Sequence, residues 1–260
     1  MKKLLVLSLI ALGLCVGNVQ AQVVFSTDFS SAEGYSDGLL VDQPAGASEV
    51  WIDGSAGVPA VNFEIADEAL VTTIDLSGSK WVYIMFPVQK ETITVTWDWR
   101  YVGPADGLVD TGINFSDSEN FTLDGNADLT WNEQGAMVRM THDTANGTGV
   151  IDVRDGDWDG GGAYSLTNEV NYQDGAKIFM RVEIDIKAWT YDVFAQREGE
   201  QEIQIAEGYG FRRLPSAETD GLNCIAFWED VSDETFTGNQ CIIDNIVVFG
   251  PTAVSNWFLY

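Results

Sequence analysis

The chain has 260 residues, of which 13 are basic and 40 acidic, for a net charge of −27. That balance excludes nucleic acid and anionic membrane surfaces as partners, because both repel an acidic protein. It favours solubility in salty water and the binding of divalent cations, whose preferred ligands are carboxylate oxygens.

Residues 1–21 have the make-up of a signal peptide. Lys2 and Lys3 form the basic end, Leu4 to Val16 the apolar core, and Val19-Gln-Ala21 a small-residue cleavage site. Leu14 precedes Cys15, where lipidation requires a small residue. No other segment is long and apolar enough to span a bilayer as a helix, so the expectation is a secreted protein, whether extracellular, periplasmic or at the cell surface. Loss of the two lysines brings the net charge to −29. Residues 22–250 suit one β domain, and 251–260 form a tail after the Gly250-Pro251 break.

Apolar alternation then recurs along the chain. Strands are predicted over Val23–Phe29, Ala69–Ile74, Trp81–Pro87, Thr92–Val102, Gly107–Ser116, Ala136–His142 and Gly149–Arg154. Further strands are predicted over Lys177–Gln196, Ile203–Glu207, Leu222–Glu229 and Cys241–Phe249. Turn-forming clusters separate them, as at Asp75–Lys80, Gly103–Gly107, Asn146-Gly147 and Arg197–Glu200. The sharpest pattern is Ile178 to Lys187, where Ile178, Met180, Val182, Ile184 and Ile186 share one face and Phe179, Arg181, Glu183, Asp185 and Lys187 the other. Trp81 to Phe86 is apolar on both faces, which suits a strand between two packed layers. Many short strands and no amphipathic helix of useful length mean an all-β fold, an antiparallel β-sandwich or a barrel. Uneven strands without two aromatic girdles disfavour an outer-membrane barrel.

Three groups of residues bear on chemistry. Arg100, Arg139, Arg154 and Arg181 lie in predicted strands, and Asp98 shares a face with Arg100. If those strands are neighbours, the guanidinium forks line a groove suited to carboxylate or sulfate on an anionic polysaccharide; if not, they neutralise nearby acids. Asp155-Gly-Asp157-Trp-Asp159-Gly160 has the alternating carboxylates and turn glycine of half a calcium loop, although its closing acid would fall at Leu166. Plain Asp/Gly turn chemistry gives the same pattern. Trp158 in that loop and Trp189, which breaks the alternation of its strand, are the tryptophans placed to stack on a sugar ring. Cys224 and Cys241 remain after cleavage, and export invites a disulfide. Each, however, opens a predicted strand, and antiparallel neighbours would place the two starts too far apart to bridge.

The mature chain opens with Val24-Phe-Ser-Thr-Asp28-Phe29 and closes with Cys241-Ile-Ile-Asp244-Asn245-Ile-Val-Val248. Between them runs Arg181-Val-Glu-Ile-Asp-Ile-Lys-Ala-Trp-Thr-Tyr-Asp-Val-Phe194. Together these resemble the concanavalin A-like lectin/glucanase superfamily, including laminin-G-like domains. The resemblance implies a jelly roll in which the first and last strands pair and the long run folds as strand, turn, strand. It implies a structural calcium near the terminal strands, where Asp28 and Asp244 lie. Laminarinase- and carrageenase-type enzymes of that superfamily carry Glu-x-Asp-x-Glu, the first Glu being nucleophile and the last acid/base. Here Glu183 and Asp185 match, but Lys187 stands in the third place and Ala188 in the longer form of the motif. A retaining hydrolase needs two carboxyl groups about 5–5.5 Å apart, and this strand supplies only the Glu–Asp pair. The histidine and tyrosine signatures of alginate-type lyases are absent, and the single histidine is His142.

The expectation is a secreted, non-catalytic, carbohydrate-binding jelly roll, stabilised by Ca²⁺, whose ligand is a polysaccharide, anionic if the arginines converge. The alternative is a polysaccharide-degrading lyase or hydrolase using Arg181, Glu183 and Asp185, with Arg100 and Arg139 in the same groove. A third reading is a structural extracellular domain.

Overall fold

The computed structural model describes residues 22–45, 49–55, 60, 62–74, 79–103, 110–121, 134–143, 148–156, 162–217, 219–230 and 238–251. The expected signal peptide and all but the first residue of the expected tail lie outside them. The described residues contain eighteen strands. The first seven are β1 (Val23–Thr27), β2 (Gly38–Leu39), β3 (Pro44–Ala45), β4 (Glu49–Val50), β5 (Ile52–Asp53), β6 (Phe63–Ala66) and β7 (Ala69–Thr73). Then come β8 (Lys80–Gln89), β9 (Ile93–Val102), β10 (Thr111–Ser116), β11 (Ala136–Asp143), β12 (Thr148–Asp155) and β13 (Ala163–Tyr172). Last are β14 (Lys177–Asp185), β15 (Thr190–Arg197), β16 (Ile203–Gly210), β17 (Leu222–Glu229) and β18 (Gln240–Phe249).

Two antiparallel sheets form a sandwich. The larger has the order β16-β15-β14-β9-β18-β7-β6-β2, and the smaller β13-β12-β11-β10-β17-β8-β5. β9 runs along one edge of β18, while β7 and β1 share its other edge. The first and last strands therefore pair, with Thr27 opposite Ile246 and Val23 opposite Phe249.

Alternation explains the core. Ile178, Met180, Val182 and Ile184 of β14 are at most 2% exposed, and Ile93, Val95, Trp97, Trp99 and Tyr101 of β9 are buried in the same layer. Each such aliphatic side chain contributes roughly 1.5–3 kcal/mol by leaving water. In the centre of the smaller sheet, β10 and β17 are buried on both faces. Val82, Ile84, Ile225 and Phe227 face the larger sheet, while Trp81, Cys224, Ala226 and Trp228 form a second apolar cluster on the outer side. That is the arrangement expected of the Trp81–Phe86 run. Between the layers, the Tyr191 hydroxyl of β15 donates to the carbonyl of Met137 and receives the Met137 N–H, tying the two sheets together.

Three departures from the sequence reading have local causes. β6 and β7 form a hairpin whose two-residue turn, Asp67-Glu68, has both φ angles positive (52° and 58°). A turn of that kind is ordinarily signalled by Asn-Gly, so the strand before Ala69 was hidden. β13 is an edge strand with mostly exposed side chains, and its pairing with β12 slips between Ile151 and Val153, so no apolar period marks it. The run Lys177–Gln196, a single strand by its period but strand, turn, strand by the resemblance, splits in two at residues 186–189. There Asp185 Oδ1 accepts the N–H groups of Lys187 and Ala188 at 3.0 Å each, closing the turn.

Cys224 and Cys241 are free buried thiols on different sheets, so the disulfide does not form. Cys224 faces the outer tryptophans, and Cys241 receives the Trp99 indole N–H.

Candidate functional site

The polar side of β14 lies on the outer face of the larger sheet. Cross-strand pairing sets Arg181 opposite Thr96 and Phe194, Glu183 opposite Thr94 and Asp192, and Phe179 opposite Asp98 and Gln196. These residues enclose a groove of about 560 Å³ lined by Thr96, Asp98, Phe179, Arg181, Gln196 and Glu202 among others. Phe179 leaves 40% of its surface exposed, the largest exposed ring on this face among the described residues. A smaller hollow of about 220 Å³ lies beside it, lined by Thr92, Glu183, Asp185, Thr190, Tyr191 and Asp192.

The charges in the groove are already matched. Arg181 grips Glu202 with two hydrogen bonds, Nε to Oε1 at 3.0 Å and Nη2 to Oε2 at 2.6 Å. Its remaining arm meets Glu183, and its plane lies 3.7 Å over the Phe194 ring. Asp98 accepts from Lys177 Nζ at 2.9 Å and from Asn245 Nδ2 at 2.8 Å. Asn245 sits in a bulge of β18 at φ 53°, a backbone conformation asparagine tolerates better than most residues. Asp185 is consumed by the turn it closes. Glu183 and Asp185 therefore have partners, and neither stands as an unengaged acid. The sequence offered Phe179 only as one residue of a polar face, and nothing in it signalled Glu202 or Asn245, which reach the groove through pairing across strands distant in the chain.

The expected four-way convergence does not occur. Arg100 is exposed on the same face, but it pairs with Lys177, four residues from the Thr96 row, about 13 Å along the strand. Arg139 is on the other sheet altogether, in β11, facing away from the core. Trp189 does not stand free: it holds φ 59° in the β14–β15 turn, packs against the core and meets Phe211 edge to face. Trp158, Asp157 and Asp159 lie outside the described residues.

Asp28 and Asp244 are each engaged within the protein. Asp28 Oδ1 accepts the Ser30 N–H at 3.0 Å, and the two oxygens of Asp244 accept from the backbone and side chain of Asn245 at 2.7 and 3.0 Å. Burial pushes the Asp244 carboxyl above the usual range, with the neighbouring Asp98 and Asp28 adding to the rise and Lys177 opposing it. Asp155 Oδ1 accepts the Gly210 N–H at 3.0 Å. Among the described residues, no three acidic, histidine or cysteine side chains are gathered to hold a metal ion.

A second polar cluster occupies the outer face of the smaller sheet, where Arg139 sits. One cross-strand row runs Trp81, Trp228, Gly112, Arg139, Asp152. Arg139 holds Asp152 through Nε at 2.7 Å and Nη2 at 2.9 Å, reaches Asp110 at 3.6 Å, and lies 3.6 Å over the Tyr164 ring. The Trp228 indole lies across Gly112 and donates from Nε1 to Asn114 Oδ1 at 3.2 Å. Burial drives the Asp110 carboxyl up to about 7, with Arg139 opposing and Asp230 and Asp152 adding to the rise. Of these residues the sequence singled out only Arg139. Asp110 follows a turn-rich segment and Tyr164 lies in the strand whose pattern was hidden.

No family model matches the sequence, and no curated protein matches it. Solved structures do. The catalytic domain of a glycoside hydrolase family 131 protein from Coprinopsis cinerea superposes with a TM-score of 0.57 at 8% identity, over 90% of this chain and 97% of that one. The lectin UEA-II, complexed with galactose, gives 0.54 at 9% identity over 88% and 99% of the two chains. Peanut lectin with a 9-mer peptide gives 0.52 at 12% identity over 80% and 100%. The fold is thus the concanavalin A-like jelly roll.

Proposed function

We propose that this chain is an exported carbohydrate-binding jelly roll, and that a polysaccharide lies across the groove on the outer face of the larger sheet. The observation that carries this is the exposed Phe179 ring set among polar side chains whose partners already fix them. A sugar ring stacks on an aromatic face, and fixed hydrogen-bonding groups cost little ordering entropy on binding. The jelly-roll lectin solved with galactose supports the ligand class by analogy of fold. Binding is favoured over cleavage because Glu183 is paired with Arg181 and Asp185 closes its turn. Since Arg181 is neutralised by Glu202 and Glu183, and the chain itself is strongly acidic, an uncharged polysaccharide suits the groove better than an anionic one.

The test is affinity electrophoresis of the protein without residues 1–21 in gels of neutral and of acidic polysaccharides. Reducing ends and unsaturated uronates are assayed in parallel. Retention by a neutral polysaccharide, lost at least tenfold on Phe179→Ala with the urea midpoint unchanged, is the expected result. Release of products, abolished by Glu183→Gln, would overturn the non-catalytic reading. No retention on any gel would move the weight to a structural domain.

A further inference from the structure

We propose that Asp98 and Gln196 set the specificity of the Phe179 groove, and that its ligand is a neutral polysaccharide whose stacked ring carries unsubstituted hydroxyls on both edges. This deepens the carbohydrate-binding reading of the groove and rests on it. Cross-strand register puts Gln196 of β15 on one side of Phe179 and Asp98 of β9 on the other. Side chains paired in this way have Cβ atoms about 4.5–5.5 Å apart, within reach of a ring lying on Phe179. All three residues line the same groove.

Each flanking side chain is held by a partner that leaves one oxygen over. Gln196 donates from Nε2 to the Glu200 carbonyl at 2.6 Å. A carbonyl only accepts, so that bond fixes which end of the amide is nitrogen and which is Oε1. Asp98 accepts from Lys177 and from Asn245 on the same oxygen, Oδ2, at 2.9 and 2.8 Å. Among the described residues, no donor reaches Asp98 Oδ1 or Gln196 Oε1. The donors nearby are largely committed. All three nitrogens of Arg181 already donate to Glu183 and Glu202, and the Asn245 amide gives its two hydrogens to Asp98 and Asp244. A ring on Phe179 therefore meets acceptors at both edges and must donate to them. A sugar hydroxyl does so. A methyl ether at the same carbon has lost its proton, and the Asp98 side chain, already only 13% exposed, would be covered without an answer. Asn245 acts through Asp98: from its bulge it holds Oδ2 and so aims Oδ1.

The test uses Asp98→Asn, Gln196→Ala and Asn245→Gly. Laminarin, galactan and xyloglucan are cast into affinity gels, each untreated and partly O-methylated, and urea midpoints are measured for every variant. The wild type should bind a methylated polymer roughly tenfold or more weakly than its untreated form, the worth of a hydrogen bond to a charged group. Asp98→Asn and Gln196→Ala should each weaken binding of the untreated polymer and draw the two affinities together. Asn245→Gly, which the φ of 53° permits, should do the same in smaller measure. Gln196→Ala lies at the sheet surface and keeps the test open should Asp98→Asn unfold. Equal binding of both forms by the wild type, lost on Phe179→Ala, would leave the groove standing and overturn its acceptor character. A ratio unmoved by Asp98→Asn and Gln196→Ala would assign the effect of methylation to bulk and sink the proposal equally. If no polymer is retained, or Phe179→Ala changes nothing, the groove reading itself falls and this inference with it.

Discussion

Gly112 is a position where one added methyl group should be costly. A Cβ there would meet Trp228 Nε1 at 2.5 Å, Cε2 at 2.6 Å and Cζ2 at 2.7 Å. Its φ is not in the left-handed region, so alanine is permitted by the backbone and gains roughly 0.4–1 kcal/mol through the unfolded chain. Against this stands overpacking of a rigid, fully buried indole, roughly 1–3 kcal/mol. The displaced indole also loses its bond to Asn114, leaving a buried amide with neither end answered, about 1–3 kcal/mol more. The steric and polar costs win, for a net loss of about 1–5 kcal/mol, each kcal/mol lowering Tm by roughly 2–4 °C for a domain this size. Urea titration followed by far-ultraviolet circular dichroism measures it, with scanning calorimetry for Tm. The cause is isolated by repeating Gly112→Ala in a Trp228→Phe background, where the smaller ring should reduce its cost below about 1 kcal/mol. A single variant within about 0.5 kcal/mol of wild type, or an equal cost in both backgrounds, would refute the reasoning.

Three further outcomes are expected. Asp110 has its pKa raised on folding from 3.8 to about 7, so the unfolded chain loses its proton first, and stability falls as pH rises from about 4 to about 7. Asp110→Asn should flatten that limb, gaining on the order of a few kcal/mol above pH 7 and nothing at pH 4, which urea midpoints across pH will show; an unchanged slope would contradict it. Without residues 1–21, the native protein should expose no thiol to a disulfide reagent and the denatured protein two, with Tm indifferent to reductant. Calcium should raise Tm if the Asp155–Asp159 segment binds it, and Asp157→Asn should remove the rise; equal Tm in calcium and in chelator would dismiss the ion.

What could be read in advance was whatever depends on local period. The alternation of Ile178 to Ile184 and of Ile93 to Tyr101 fixed the face of every residue in β14 and β9, because a strand side chain can point only two ways. The strand–turn–strand at Asp185 followed from the resemblance. What stayed hidden depends on partners far along the chain. No local signal says that Arg139 and Arg181 belong to different sheets, since both lie on polar faces of alternating strands. Nor does a tryptophan report which layer buries it: Trp97 and Trp228 read alike, yet one faces the core and the other lies over Gly112 on the outside. The Asp67-Glu68 turn was missed because its residue types contradict its backbone.

The pairing of β1 with β18 has a mechanical consequence. Val23 lies opposite Phe249, and the Gly250 N–H donates to the Gln22 carbonyl at 2.8 Å, so both ends of the domain leave from one point. A pull applied through those ends would open the β1–β18 ladder like a zipper, loading one hydrogen bond at a time. The domain should therefore yield at low force when tethered by its termini. Joining the two ends by a short linker and cutting the chain elsewhere at the surface should leave the sandwich intact.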